Sequence, residues 1–247
     1  MIEIKNVSES YVKNKKVIDN INFKINDGEV FGFIGPNGAG KTTTIEMMTG
    51  VLDIDEGDIL FDGHSITKEP LICKKTFAYI PDTPDTFDKL TALEYLNFVG
   101  DIYEVPSEKR LSIINNLAEE FGIQNSLDNK IQSFSHGMKQ KLLIISALLH
   151  NPKNWILDEP MTGLDPKASF ILKQKMKAHA KKGNSVFFST HVLEVAEEMC
   201  DRIAIIDGGK IKFVGTCDEL KKQSKNSKSL EEAFLSLFEV TNEEIKN

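Results

Sequence analysis

The chain has 247 residues, 40% of them hydrophobic and 27% charged, with a formal net charge of −7. This describes a globular protein with a substantial core, in one large domain or one domain with an inserted lobe. The acidic balance argues against a nucleic-acid backbone as partner, and the longest apolar run, 142–149, falls far short of the roughly 20 residues that a bilayer span requires.

In chain order, strands are expected at 2–6, 17–25 and 30–34, with Asp27-Gly28 turning between the last two. Residues 1–5 already read as strand, not as a signal peptide, so any membrane role falls to a partner. A glycine-rich turn follows the compact apolar run 30–34, and then a helix from 41 to 49, ended by Gly50. Further strands are expected at 59–61 and 77–80. From 91 to 149 the pattern is helical: Thr91 and Glu94 suit a capping box, and Leu111, Ile114, Leu117 and Phe121 recur at helical spacing. Strand character returns at 155–157, 186–189 and 203–206, with helices between, one of them opened by Asp165 as cap and Pro166 in the first turn. Lys221, Lys222, Lys225 and Lys228 read as a solvated connector. Beyond it Ser229 and Glu232 suit the start of a last helix, whose apolar face of Leu230, Phe234, Leu237 and Phe238 either folds back on the core or meets a partner. The expected organisation is an α/β core at 1–87 and 151–220, a helical lobe at 88–150 and a tail at 221–247. Cys73, Cys200 and Cys217, odd in number and without a CxxC pair, read as idle thiols of a reducing compartment.

Gly35-Pro36-Asn37-Gly38-Ala39-Gly40-Lys41-Thr42 matches GxxxxGK[ST] in full, and it sits after a buried strand and before a helix, where its chemistry requires. The glycines let the backbone turn its N–H groups inward, the helix start adds partial positive charge, Lys41 can reach the β- and γ-phosphates, and Thr42 can offer a hydroxyl to Mg²⁺. Farther on, the apolar run 154–157 ends in Asp158 and Glu159. An aspartate at a strand end beside the cradle can hold the metal or its waters, and the glutamate next to it can orient the attacking water or take its proton.

Together these residues resemble the ABC-family ATPases over almost the whole chain. The resemblance implies an α/β fold: a RecA-like P-loop NTPase core with an N-terminal antiparallel β region and an inserted all-helical subdomain. It implies ATP and Mg²⁺ as ligands, with Thr43 beside the cradle, and Tyr11 as the aromatic that stacks on adenine. It implies that Thr162-Gly163-Leu164-Asp165 meets a partner subunit, and that His191, in Ser189-Thr190-His191, senses the γ-phosphate. The family's LSGGQ-like stretch reads Phe134-Ser135-His136-Gly137-Met138. Ser135 and Gly137 keep the hydroxyl and the bare N–H expected to face the ATP of the opposing subunit, whereas His136 and Met138 depart from the pattern. Where the family has a glutamine after the strand at 77–80, this chain has Asp82, which can reach the metal through water. The stretch Pro81-Asp82-Thr83-Pro84 and the Ser-x-Gly-Met-Lys-Gln run resemble the Ecs-type and bacitracin-export-type bacterial exporters. The resemblance therefore implies an ATP-hydrolysing subunit that pairs with a second ATPase subunit and an integral membrane permease on the inner face of the cell membrane, with no nucleic acid. Other readings are a soluble ABC ATPase and an ATP-binding regulator.

Overall fold

The computed structural model describes residues 1–10, 15–83, 87–224, 227 and 229–244. Strands β1 (Ile2–Glu9), β2 (Ile18–Ile25), β4 (Glu56–Phe61) and β5 (His64–Ser65) form an antiparallel sheet in the order β2-β1-β4-β5. In β2, Ile21, Phe23 and Ile25 are buried while Asn22 and Lys24 are exposed, the alternation of a sheet with one face on a core. The second sheet has the order β10-β9-β3-β8-β7-β6, built from β3 (Val30–Ile34), β6 (Phe77–Ile80), β7 (Asn154–Leu157), β8 (Ser185–Thr190), β9 (Arg202–Asp207) and β10 (Lys210–Gly215). Its strands run parallel except β10, which is antiparallel to β9 at the edge. Every residue of β3, β7 and β8 is buried, which is why these strands read as continuous apolar runs and not as alternating ones.

The two sheets meet at an aromatic layer. Phe23 lies 5.6 Å from Phe31, 5.5 Å from Phe33 and 6.3 Å from Phe187, centroid to centroid. Helix α1 (Lys41–Thr49) joins this layer through Ile45, Met47 and Met48, and the short α2 (Pro70–Lys74) closes its edge with Cys73. A second core belongs to α3 (Ala92–Ile102), α4 (Ser107–Phe121), α5 (His136–Leu149) and α6 (Pro166–Lys181), packed with Val186 and Phe188 of the large sheet. Here Trp155 of β7 stacks on His179 of α6 at 4.1 Å; its indole N–H is buried without an acceptor, while His179 Nε2 lies 3.1 Å from the Lys153 carbonyl.

The expected starts of α3 and α6 are present. Thr91 Oγ1 accepts from Glu94 N at 3.1 Å and Glu94 Oε2 accepts from Thr91 N at 2.7 Å. Asp165 Oδ1 accepts from Ala168 N at 2.9 Å, with Pro166 in the first turn. In α4, Ile114, Leu117 and Phe121 are buried as expected, but Leu111 is 54% exposed. The reason is its neighbour: Arg110 takes the inward register and donates to the carbonyls of Asn97 at 3.0 Å and Val105 at 2.8 Å, which turns Leu111 about 100° away. β5 and α2 are too short to show a period, and β10 is an edge strand that sequence reading passed over.

Helix α7 (Leu193–Met199) follows β8, and α8 (Cys217–Gln223) follows β10. Lys221 and Lys222 are therefore not connector but the last turn of α8, where cations suit the helix dipole, and Lys221 pairs with Glu197. Helix α9 (Leu230–Glu244) opens with Glu232 N donating to Ser229 Oγ at 3.1 Å and folds back on the core: Leu230 and Ala233, with Phe234 and Leu237, pack with Ile34, Ala196, Ile203, Ile205 and Leu220. Lys225, Lys228 and the side chain of Phe238 lie outside the described residues. The three cysteines are free, and burial raises the pKa of each thiol.

Candidate functional site

The cradle lies at the C-terminal edge of the large sheet, where β3 hands over to α1. Two of its glycines are required, Gly35 by space and Gly40 by its positive φ. A β-carbon at Gly35 would lie 2.4 Å from the Ile206 carbonyl oxygen, and one at Gly40, whose φ is 107°, would lie 2.5 Å from Ile18 Cδ1. No side chain caps α1 and no acidic residue stands in its first turn, so the partial positive charge of the helix start is left for an anion. Lys41, 7% exposed, donates to the carbonyls of Gly35 at 2.8 Å and Pro36 at 3.2 Å. Burial lowers its pKa, against the opposing pull of Glu159, Asp158 and Asp82. Ala39 N closes the turn on Pro36 O at 3.2 Å.

The acidic pair stands across from the cradle because β7 lies two strands from β3, with β8 between. Asp158 is 1% exposed and fully engaged: its Oδ2 accepts from Thr42 Oγ1 at 2.8 Å and its Oδ1 from Ser189 Oγ at 2.5 Å. Ser189 in turn accepts from Glu159 N at 2.9 Å. Glu159 has φ 45°, a left-handed backbone that a glutamate rarely adopts. This conformation turns its carboxylate back over the cradle, 2.9 Å from His191 Nδ1 and 3.9 Å from Lys41 Nζ.

These groups enclose a cavity of about 340 Å³, lined by Asn37, Gly38, Gly40, Lys41, Thr42 and Thr43 on one side and by Asp82, Asp158 and Glu159 on the other, with Val17 at its margin. His191 reaches it through Glu159. Ser135 and Gly137 do not line it. They stand at the start of α5, where Ser135 Oγ accepts from Met138 N at 3.3 Å. Tyr11 lies outside the described residues. Sequence reading missed the role of Ser189: a polar residue at the end of an apolar strand, immediately before Thr190-His191, was the available signal.

A phosphate cradle with a buried aspartate on its threonine and a glutamate over its lysine is built for a nucleoside triphosphate. Residues 18–162 match the family model described as ABC transporter. The chain belongs to the ABC transporter family. It is 35% identical to the ABC-type transporter ATP-binding protein EcsA of Bacillus subtilis (strain 168) over 238 residues, 96% of each chain. It is 40% identical over 213 residues to the uncharacterized ABC transporter ATP-binding protein YhcH of the same organism, covering 85% of this chain and 68% of that one. Among solved structures, an ATP-binding subunit of an ABC transporter superposes with a TM-score of 0.91 at 34% identity, covering 96% of this chain and 99% of that one. The ABC transporter subunit thus binds ATP at a P-loop in an α/β fold, and its ATP-binding and ATPase character belongs to the family. No helix among its described residues is long and apolar enough to cross a membrane.

Proposed function

We propose that this subunit hydrolyses MgATP as one half of a dimer and drives an exporter through a separate membrane permease. The observation that carries the reading is the placement of Glu159, held by a strained backbone 2.9 Å from His191 and 3.9 Å from Lys41, beside a metal-compatible oxygen set. That set fits Mg²⁺: the Thr42 hydroxyl and the Asp158 carboxylate already touch at 2.8 Å, and Asp82 lines the same cavity. All are hard oxygen donors, and Mg²⁺ characteristically takes one or two carboxylates alongside substrate phosphates. When bound, Mg²⁺ neutralises charge building on the phosphates.

In this mechanism the loop N–H groups of Gly38 and Gly40 and the α1 start bind the phosphates, Ala39 keeps the turn closed on Pro36, and Lys41 leaves its loop carbonyls for the β- and γ-oxygens. Thr43 and Asn37 shape the cradle, and Tyr11 stacks on adenine. Glu159 orients water in line with the γ-phosphorus and takes its proton, while His191 hydrogen-bonds the γ-phosphate and keeps Glu159 in place. Ser135 and Gly137 close over the γ-phosphate held by the opposing subunit, so that ATP joins the two. Residues 88–150 form the lobe that carries this motion outward from the core at 1–87 and 151–220. A groove of Tyr79, Tyr95, Tyr103 and His150, rimmed by the exposed Phe87 and Phe98, opens between lobe and core and suits the permease. The subunit would then sit on the inner membrane face, held there by the permease. The similarity to relatives named for Nod factor export and linearmycin resistance, together with the Asp82 stretch, supports the exporter branch.

The test is Glu159→Gln. ATP binding is expected to persist while turnover falls on the order of 10²-fold or more, the usual scale for a lost general base. Binding is read by equilibrium titration and turnover by phosphate release. Full turnover by this variant would overturn the assignment.

A further inference from the structure

His136, the residue that departs from the family's glycine, is in contact with the turn that leaves Glu159. Gly163 lies in that turn at φ 76°, and a β-carbon on it would lie 2.5 Å from His136 Cδ2 and 2.9 Å from Nε2. The contact is reciprocal: a β-carbon on Gly137 would lie 2.7 Å from the Gly163 carbonyl oxygen. The start of α5 and the 161–164 turn therefore interlock, the imidazole lying over one glycine and a carbonyl pressed against the other. A second tie lies one helical turn along, where Lys141 Nζ meets Asp165 Oδ2 at 2.5 Å while the other oxygen of Asp165 caps α6. At its other end the turn is fastened to the acid itself, because Thr162 N donates to Glu159 O at 3.0 Å.

We propose that His136 is a positioning residue for hydrolysis, its ring clamping Gly163 so that the Glu159 turn and the Ser135–Gly137 helix start move as one body. This rests on Glu159 being the group that acts on water. The ring supplies a wall that glycine cannot, and a carboxylate must be held closely, since a displacement of about 1 Å can cost on the order of 10²-fold in rate. The chemistry needed from position 136 is a flat ring of imidazole size; no charge is involved.

The test compares His136→Gly with His136→Phe. Amide hydrogen exchange of the 161–164 turn is measured first on the nucleotide-free chain, which needs no turnover. His136→Gly is expected to speed that exchange about tenfold, with exchange elsewhere in α5 and the thermal midpoint unmoved, and His136→Phe is expected to restore protection. Steady-state hydrolysis in the complex purified from its own membranes should then show kcat lowered about tenfold in His136→Gly, with equilibrium ATP binding within about twofold of the parent, and kcat recovered in His136→Phe. Unchanged exchange in His136→Gly overturns the proposal. So does faster exchange without loss of kcat, a loss that Phe fails to rescue, or a loss that appears only as weaker ATP binding. If Glu159→Gln is inactive while His136→Gly is indistinguishable from the parent, only the clamp fails. If Glu159→Gln turns over normally, the reading of Glu159 fails with it.

Discussion

Ser189 joins the two acids at a single oxygen: it donates to Asp158 and accepts from the Glu159 N–H, and it has no exposure of its own. Ser189→Ala would leave a buried carboxylate oxygen unpaired, at a cost of about 1–3 kcal/mol, and a part-buried N–H without its acceptor. The variant is expected to lose stability on that scale in urea denaturation and to lose turnover as well, because Glu159 depends on that N–H for its left-handed backbone. Unaltered denaturation would mean that the pair is held by other contacts. The cradle residues and Asp158, Glu159 and His191 were legible because each belongs to a contiguous run with its own chemistry. Ser189 was not, because its partners come just after the neighbouring strand, 30 and 31 positions away, and only the β7–β8 pairing brings them together. The φ of Glu159 was likewise invisible, since nothing in Leu-Asp-Glu-Pro specifies a left-handed residue.

Among the elements, α5 and α6 each end in a histidine, His150 as the C-cap of one and His179 in the last turn of the other. A helix C-terminus favours imidazolium, yet burial outweighs it and lowers both pKa values below the ordinary 6.5. His150 stacks on Tyr103 at 3.7 Å and His179 on Trp155 at 4.1 Å, so neither ring is solvated enough to charge freely. A base whose folded pKa is depressed binds its proton more readily when unfolded. Its contribution is therefore complete above pH 6.5 and is lost as the pH falls from there through the lowered folded value. Urea midpoints are expected to hold above neutrality and to decline on the acid side, and His179→Phe, which keeps a stacked ring without a titrating group, should make that decline shallower. An unchanged slope would remove His179 from the account. The long helices were readable from caps and periodicity, as at Thr91 and Asp165. The face of α4 was misjudged at Leu111 because a buried arginine breaks the rule that charge points outward, its stem packing while its donors find carbonyls.

At the scale of the molecule, three cores among the described residues are joined through the large sheet, and the smallest of them depends on helix α9. Leu230 is 1% exposed against Ile34, Ala196 and Leu220. Leu230→Ala is expected to cost about 2–5 kcal/mol, the range for a buried leucine, read from the urea midpoint. A cost near zero would show that α9 rests on the core without supporting it. Sequence reading left open whether this helix folds back or meets a partner, because an apolar face states only that something covers it. Sheet order was equally unreadable: β3 sits between β8 and β9, and the pairing follows from crossovers, not from any residue in β3.

Trp155 is the chain's one tryptophan, and it lies on β7, three residues before Asp158, pressed against the His179 ring. All indole emission therefore comes from one place, the seam where the helices meet the strand that bears the acids. The protein carries a built-in optical probe: a change in the state of that imidazole, or a shift of the lobe on the strand, should alter the colour or brightness of a single ring, with no label attached.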